Sequence, residues 1–502
     1  MHCKSKTLLF AGLIALAGCN DDDVPPPEDI LNENPSAFSE IGQIDIGDAG
    51  AAEISAFDPS TNRLFVVNNS EVNKIDVIDL EDPGAMSVIH SILIAPYGGV
   101  VNSVSVSGGK LAAAIESLDK QAEGKLAVFN TADYSEITTV SVGALPDMVT
   151  FSPDGKYILT ANEGEPDGDY TNDPAGSVSI ISVEGHYAVT TLDFAGFASQ
   201  QETLEAGGFR VFGPSNDFAK DIEPEYVTVS SDSKTAWVTL QENNAIARID
   251  ISSKTITDIF PLGFKDYNAA GNEIDVSNED GKVELKNWNV KGVYMPDAIA
   301  VMDDGDMPYV FTVNEGDARE YDAFEEAERI KDVNLDPAVF PDADALQEDE
   351  MLGRLNITTT LGDTDSDGDF DELYSFGARS FSVWNGNDGS QVYDSKNELD
   401  RITIDAHLYD DDRSDDKSIE PEGIAIGTIG ETHVAFVGME RVDVVAVFNI
   451  NDPANPEFLQ ILKTGDAPEG ILMIKAEDSP VERTLLVVSS EDDGVIKIFA
   501  PE

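Results

Sequence analysis

Apolar and polar positions alternate in short runs along most of the chain, and Gly, Pro, Asn and Asp punctuate those runs. Period-two alternation rich in Val, Ile and aromatic residues between such breakers predicts strands joined by tight turns. A longer period overlies it. One unit recurs seven times: a short polar or acidic opening, an alternating strand, a turn, a more apolar strand ending in Asn or Glu, and a third strand rich in Val and Ile. The third copy is the clearest. It opens at Pro146-Asp147, runs from Met148 to Ser152, turns at Pro153-Asp154-Gly155, continues from Tyr157 to Ala161, reaches Asn162-Glu163-Gly164 and resumes from Ser177 to Val183. The other openings are Ala52-Glu53, Asn102-Ser103, Pro224-Glu225, Pro296-Asp297, Pro421-Glu422 and Pro468-Glu469. The matching second strands end at Asn68-Asn69, Glu116, Gln241-Glu242, Asn314-Glu315, Met439-Glu440 and Ser490-Glu491.

Units of about 45 residues with three or four strands each are the signature of a β-propeller. The expected fold class is all-β, a seven-bladed β-propeller over residues 39–502 with loop insertions. The largest insertion, about 320–378, separates the second strand of unit five from its third, Ser380 to Trp384. The last unit stops after its third strand, Val495 to Ala500, while an extra strand, Ile41 to Ile46, precedes the first. That N-terminal strand is expected to complete the last blade and remove its open edge. A β-sandwich with a separate inserted domain is the competing arrangement, because it also accommodates short, regular strands.

The N-terminal segment has a different character. Lys4 and Lys6 precede an apolar run from Thr7 to Leu16, which fits a signal-peptide core and is too short to span a bilayer. Leu16-Ala17-Gly18-Cys19 resembles a bacterial lipoprotein cleavage box. Residues 1–18 are read as a signal peptide, Cys19 as the acylated first residue, and 19–38 as an acidic, Pro-rich tether. The expected location is the cell envelope, on the outer membrane or cell surface, with the membrane reached through the lipid on Cys19. Cys3 would leave with the signal, so no disulfide framework is expected.

Charge changes the picture most. The 502 residues carry 96 Asp and Glu against 31 Lys and Arg, a net charge of −65. Such a chain lacks the basic patches that phosphate backbones require, which excludes nucleic acid as a partner. Bound divalent cations or a saline medium would relieve the self-repulsion. The acids are also ordered. Glu53, Asp147, Glu225, Asp297, Glu422 and Glu469 recur at the openings, and only unit two lacks one, having Ser103. Glu163, Glu242, Glu315, Glu440 and Glu491 recur at second-strand ends. In a propeller these positions form rings about the axis, where carboxylates cannot all stay ionised without cations. Ca²⁺, a hard ion that accepts oxygen ligands, is the expected cofactor. Solvated turn acids are the plainer alternative. A second candidate is local: Asp363, Asp365, Asp367, Gly368 and Asp369 match the start of a Ca²⁺ loop, although Tyr374 replaces the closing Glu. Asp275, Ser277, Glu279 and Asp280 form a weaker loop of that type.

The few cations stand beside repeat acids: Arg319, Arg379, Arg413, Lys417 and Arg441. Metal and guanidinium together can hold phosphate or carboxylate, so these residues are candidate anion binders; structural pairing with the acids is the alternative. The histidines lack metal spacing, and Walker, G-x-G-x-x-G and G-x-S-x-G motifs are absent.

A run of motifs then points to a family. Asn162-Glu163-Gly164-Glu165-Pro166, Glu223-Pro224-Glu225-Tyr226, Leu240-Gln241-Glu242-Asn243-Asn244-Ala245, Met295-Pro296-Asp297-Ala298, Asn314-Glu315-Gly316-Asp317-Ala318-Arg319, Arg379-Ser380-Phe381-Ser382, Arg413-Ser414-Asp415-Asp416-Lys417 and Glu420-Pro421-Glu422-Gly423 together resemble the choice-of-anchor I family, over roughly 39–500. Ser418-Ile419 stands where members usually carry Gly-Pro, and Met439 where Leu is usual. The resemblance implies an anchored, propeller-like extracellular protein; some relatives are linked to calcium mineral and others are labelled phosphatase or phytase-like. Two functions are therefore expected. The first is a calcium-dependent binding protein of mineral or polysaccharide surfaces, read as a monomer. The alternative is a Ca²⁺-dependent phosphoric-ester hydrolase, which requires ring acids and at least two of the arginines around one open cavity.

Overall fold

The alternating strands assemble into sheets because each has apolar side chains to bury. The second and third strands of each unit are apolar on both sides, so each sheet must be covered on both faces. Leu64 to Val67 and Ala112 to Ala114 are fully buried for this reason. A computed structural model describes residues 33–303, 305 and 307–502. The expected signal peptide, Cys19 and most of the tether lie outside the described residues.

Seven four-stranded antiparallel sheets form the blades. Their inner strands are Ser55–Asp58, Val101–Ser107, Pro146–Phe151, Pro224–Val229, Ile299–Met302, Pro421–Ile429 and Pro468–Ile474. Neighbouring inner strands touch in chain order, and the seventh returns to the first. One apolar core fills each of the seven gaps between blades; Phe65, Val67 and Leu111 lie between blades one and two, and Phe311, Phe381 and Phe448 between blades five and six. The chain is a seven-bladed β-propeller, as expected from the repeat.

The ring closes as expected. Phe38–Asp45 pairs antiparallel with Val495–Pro501 and becomes the outer strand of blade seven. It begins three residues before the expected Ile41, because Phe38 is buried against Phe436. Asp45 lies opposite Val495, which lies opposite Ser490, which lies opposite Pro468. The closing strand therefore enters at one end of the barrel and finishes at the end where the inner strands begin. Glu33 sits at the entering end, where its carboxylate accepts hydrogen bonds from the Thr484 amide and hydroxyl.

The insertion falls between the second and third strands of blade five. Residues 320–378 do not form a lone loop, because the linker between blades four and five joins them. Phe264–Asp266 pairs with Lys291–Val293, which pairs in parallel with Tyr374–Ser375. Tyr267, Ile274, Val276, Leu335, Phe340, Leu352 and Ile357 give this lobe its own core. Asp275 is used inside it: its carboxylate accepts the amides of Val276 and Glu284.

Candidate metal centre

The inner strands share an irregular start. Asp147, Glu225, Glu422 and Glu469 each fall at a register shift just after a Pro that is paired normally. A bulge leaves the extra residue unpaired and re-aims its side chain. The residue before the Pro takes a left-handed backbone in four blades: Leu145 at φ 46°, Met295 at 50°, Glu420 at 48° and Ala467 at 57°. Each such strain costs on the order of 1–3 kcal/mol and persists only where its surroundings enforce it. The register also corrects the sequence alignment of blade two. Asn102, not Ser103, is the bulged counterpart of Asp147. The acids of adjacent blades come very close: a Cβ on Gly470 would lie 2.3 Å from the Glu53 carbonyl oxygen, and one on Gly423 would lie 2.4 Å from that of Glu469.

These starts enclose a cavity of about 360 Å³. Asp147, Glu225, Asp297, Glu422 and Glu469 line it from the openings, and Glu315, Glu440 and Glu491 from second-strand ends. Tyr226, Gln241, Asp317, Lys417 and Arg441 complete it. Burial, reinforced by neighbouring acids, raises the carboxyl groups: Glu53 to about 8, with Glu491 and Asp147 contributing, and Asp147 to about 6. Glu225, Asp297, Glu422 and Glu469 are raised well above the ordinary range, by burial first and then by neighbouring acids of both rings. Burial lifts Glu440 to about 8 although Arg441 opposes it. Glu315 is the exception: burial acts upward, but Lys417 outweighs it and holds the group low.

Asp297, Glu315 and Glu422 each offer an oxygen within 4.8 Å of the others, and Glu315, Glu420 and Glu440 do the same. Glu225 and Glu422 each keep one buried oxygen without a hydrogen-bond partner among the described residues. A buried acceptor left unmatched in this way is costly unless a ligand meets it. Donor type and spacing suit a hard divalent cation. Glu53, Glu163 and Glu242 lie outside the cavity lining. Glu163 is raised by burial and by Glu165 and Asp147, and Glu242 is pushed by burial to about 7 against Arg319.

The cations divide into two groups. Arg319 is 3 % exposed and donates to Asp221 Oδ1 at 2.7 Å and Glu223 Oε2 at 3.0 Å, with Phe212 under its guanidinium. Arg379, 1 % exposed, donates to the carbonyls of Asp275, Ser414 and Asp416. Both hold the inserted lobe and loops to the propeller, away from the cavity lining. Arg413, Lys417 and Arg441 instead converge on Glu420, whose side chain is fully buried. Sequence reading passed over Glu420. Its signal was there, since an acid occupies the position of Leu145, Met295 and Ala467 in other blades.

The acidic loop is separate. Asp363, Asp365 and Asp371 bring oxygens within 4.8 Å of one another, and Asp369 and Asp371 do so with Asp336. Asp367 caps the Asp369 amide instead. Burial and the neighbouring Asp367 raise Asp369 to about 6. Asp336 comes from outside the motif, which is why the spacing did not reveal it.

The choice-of-anchor I domain matches residues 53–453. The chain belongs to the choice-of-anchor I family. Among curated relatives, Gigasin-3a of Magallana gigas is 27 % identical over 189 residues, covering 31 % of this chain and 66 % of that protein. A mesenchyme-specific cell surface glycoprotein of Strongylocentrotus purpuratus is 24 % identical over 335 residues, covering 56 % of this chain and 42 % of that protein. This choice-of-anchor I chain thus spans less than two thirds of either relative. Solved structures with similarity include Kuenenia stuttgartiensis hydrazine synthase, at TM-score 0.48 and 12 % identity over 90 % of this chain and 96 % of that one. The Cps50 (Swd1) β-propeller domain of Myceliophteria thermophila matches at TM-score 0.46 and 10 % identity, over 93 % and 100 %. Family and fold together suggest a surface-associated propeller. No helix among the described residues is long and apolar enough to cross a membrane.

Proposed function

We propose that this choice-of-anchor I protein is a lipid-anchored, calcium-binding propeller of the cell envelope, acting outside the cytoplasm as a binding protein for mineral or polysaccharide surfaces. One observation carries the reading. Strand starts from five blades, four of them bulged, deliver Asp147, Glu225, Asp297, Glu422 and Glu469 to one cavity, where among the described residues Asp297 and Glu422 form no ion pair and Glu422 keeps an unmatched buried oxygen. A cell surface glycoprotein among the relatives supports the location. The hydrolase reading is weaker, because Arg319 and Arg379 are spent on the fold and, among the described residues, the cations lining the cavity are Lys417 and Arg441, each already paired with carboxylates.

The test joins thermal melts with an ester assay. Ca²⁺ is expected to raise the melting temperature of the purified protein, and Asp297→Asn with Glu422→Gln to abolish that rise. Ca²⁺-dependent turnover of p-nitrophenyl phosphate that disappears in Arg441→Ala would establish the hydrolase instead. No melting shift and no turnover would overturn calcium binding at the cavity.

A further inference from the structure

The two carboxylate triads of the cavity share Glu315 but differ in their surroundings. Glu420, Glu440 and Glu315 face three side-chain cations. Lys417 Nζ lies 2.9 Å from Glu315 Oε1, 3.3 Å from Asp317 Oδ1 and 3.6 Å from Glu420 Oε2. Arg441 meets Glu420 at 3.0 Å and Glu440 at 2.6 Å, and Arg413 pairs with Glu420. Four carboxylates, Glu315, Asp317, Glu420 and Glu440, are thus met by three cations. In the other triad, among the described residues, Glu315 alone has such a partner; Asp297 is 7 % exposed and forms no ion pair with them, and Glu422 keeps its unmatched oxygen. An ammonium is a compact point charge with three donors, so a tripod of carboxylates holds it much as it would a metal ion.

We propose that Lys417 Nζ is a built-in cation filling the second of two fused subsites, so that the cavity takes a single divalent ion, at Asp297, Glu315 and Glu422. This rests on the calcium reading of the cavity. Backbone geometry supports the assignment. Ser418 and Glu420 both adopt left-handed conformations, at φ 64° and 48°, and so fold the segment back to set Lys417 and Glu420 against each other. Lys417 here is a substitute for a metal, not a contact for an anion. Removing it leaves Glu315 and Asp317 without their ion-pair partner as a second set of oxygen ligands beside the first, while Glu420 keeps Arg413 and Arg441.

The experiment counts Ca²⁺ bound per chain by equilibrium dialysis and calorimetry on the full-length protein. The count is expected to fall by one in Asp297→Asn, to rise by one in Lys417→Met, and to stay unchanged in Lys417→Arg. Comparison between variants cancels ions bound at the acidic loop. An unchanged or lower count in Lys417→Met overturns the proposal even if Asp297→Asn behaves as expected. An unchanged count in Asp297→Asn overturns the underlying calcium site. Should Lys417→Met fail to fold, Lys417→Gln, which keeps a donor toward Glu315, gives the same reading.

Discussion

Buried acids take opposite roles in this fold: Asp221 and Glu223 are paired with Arg319, whereas most ring acids lack an ion-pair partner among the described residues. Arg319 is buried with Asp221 and Glu223 as fixed partners. Removing one member of a buried pair leaves the others uncompensated and costs about 3–5 kcal/mol. Arg319→Ala is therefore expected to lower stability in denaturant by that amount while the Ca²⁺-induced melting shift survives. A full-stability variant that lost the shift would place Arg319 at the metal instead. The ring acids face the reverse problem, because burial disfavours their charge. Glu53 and Glu440 titrate near about 8 and Asp147 near about 6, above the unfolded value of about 4. The folded chain then holds protons that the unfolded chain has released. This contribution is complete at acid pH and lost as pH rises through those values. Glu315, held low, acts oppositely and only toward the acid end. Melting temperature in chelator should fall between about pH 5 and 8, and saturating Ca²⁺ should flatten or reverse the slope, since the ion binds the deprotonated groups. A flat profile in chelator would show that the ring acids ionise freely.

Among the elements, the closing strand carries the clearest consequence. Phe38 is 5 % exposed, edge-on to Phe436 at 5.4 Å, and anchors the one strand that joins the two ends of the chain. Phe38→Ala should cost about 3–5 kcal/mol by cavity formation, read from denaturant melts; a loss below about 1 kcal/mol would mean that blade seven holds without its outer strand. This closure was legible before any coordinates, because an unmatched strand at one end and an incomplete unit at the other can only complete each other. The blades were legible for a related reason: period-two alternation repeated at a fixed spacing is a local signal. What escaped was non-local or off by one residue. The lobe strands Phe264–Asp266 and Lys291–Val293 are three residues long, and Tyr374–Ser375 joins them in parallel from far along the chain. No window of sequence contains that pairing. The bulge in blade two shifted the ring position from Ser103 to Asn102, since alternation alone does not show where an extra residue is inserted. The ring acids could be picked out by their recurrence, whereas the roles of the cations could not. Arg319 and Arg441 each stand beside an acid in sequence, and only the fold turns one toward the lobe and leaves the other at the cavity.

For the whole molecule, the strand order of blade seven fixes the end of the propeller at which the described chain enters. The chain enters at Glu33 beside Thr484, and the closing strand must cross the full height of the blade before it reaches the end that holds the cavity. Glu33 therefore lies at the end of the propeller opposite the carboxylates. Were the chain held at a membrane as proposed above, its net charge of −65 would be repelled by anionic lipid, which favours the carboxylate end pointing away from the surface. The protein offers a direct test, since its only cysteines are Cys3 and Cys19, and neither lies in the propeller. Glu477 and Asp492 are exposed residues on opposite ends of blade seven. A donor dye at Glu477→Cys should transfer energy efficiently to acceptor lipids in vesicles carrying the full-length, lipidated chain, and a dye at Asp492→Cys should transfer less. Equal transfer from both positions would mean that the propeller lies on its side or tumbles on its tether. Stronger transfer from Asp492→Cys would turn the cavity toward the membrane and make the lipid surface itself its first candidate partner.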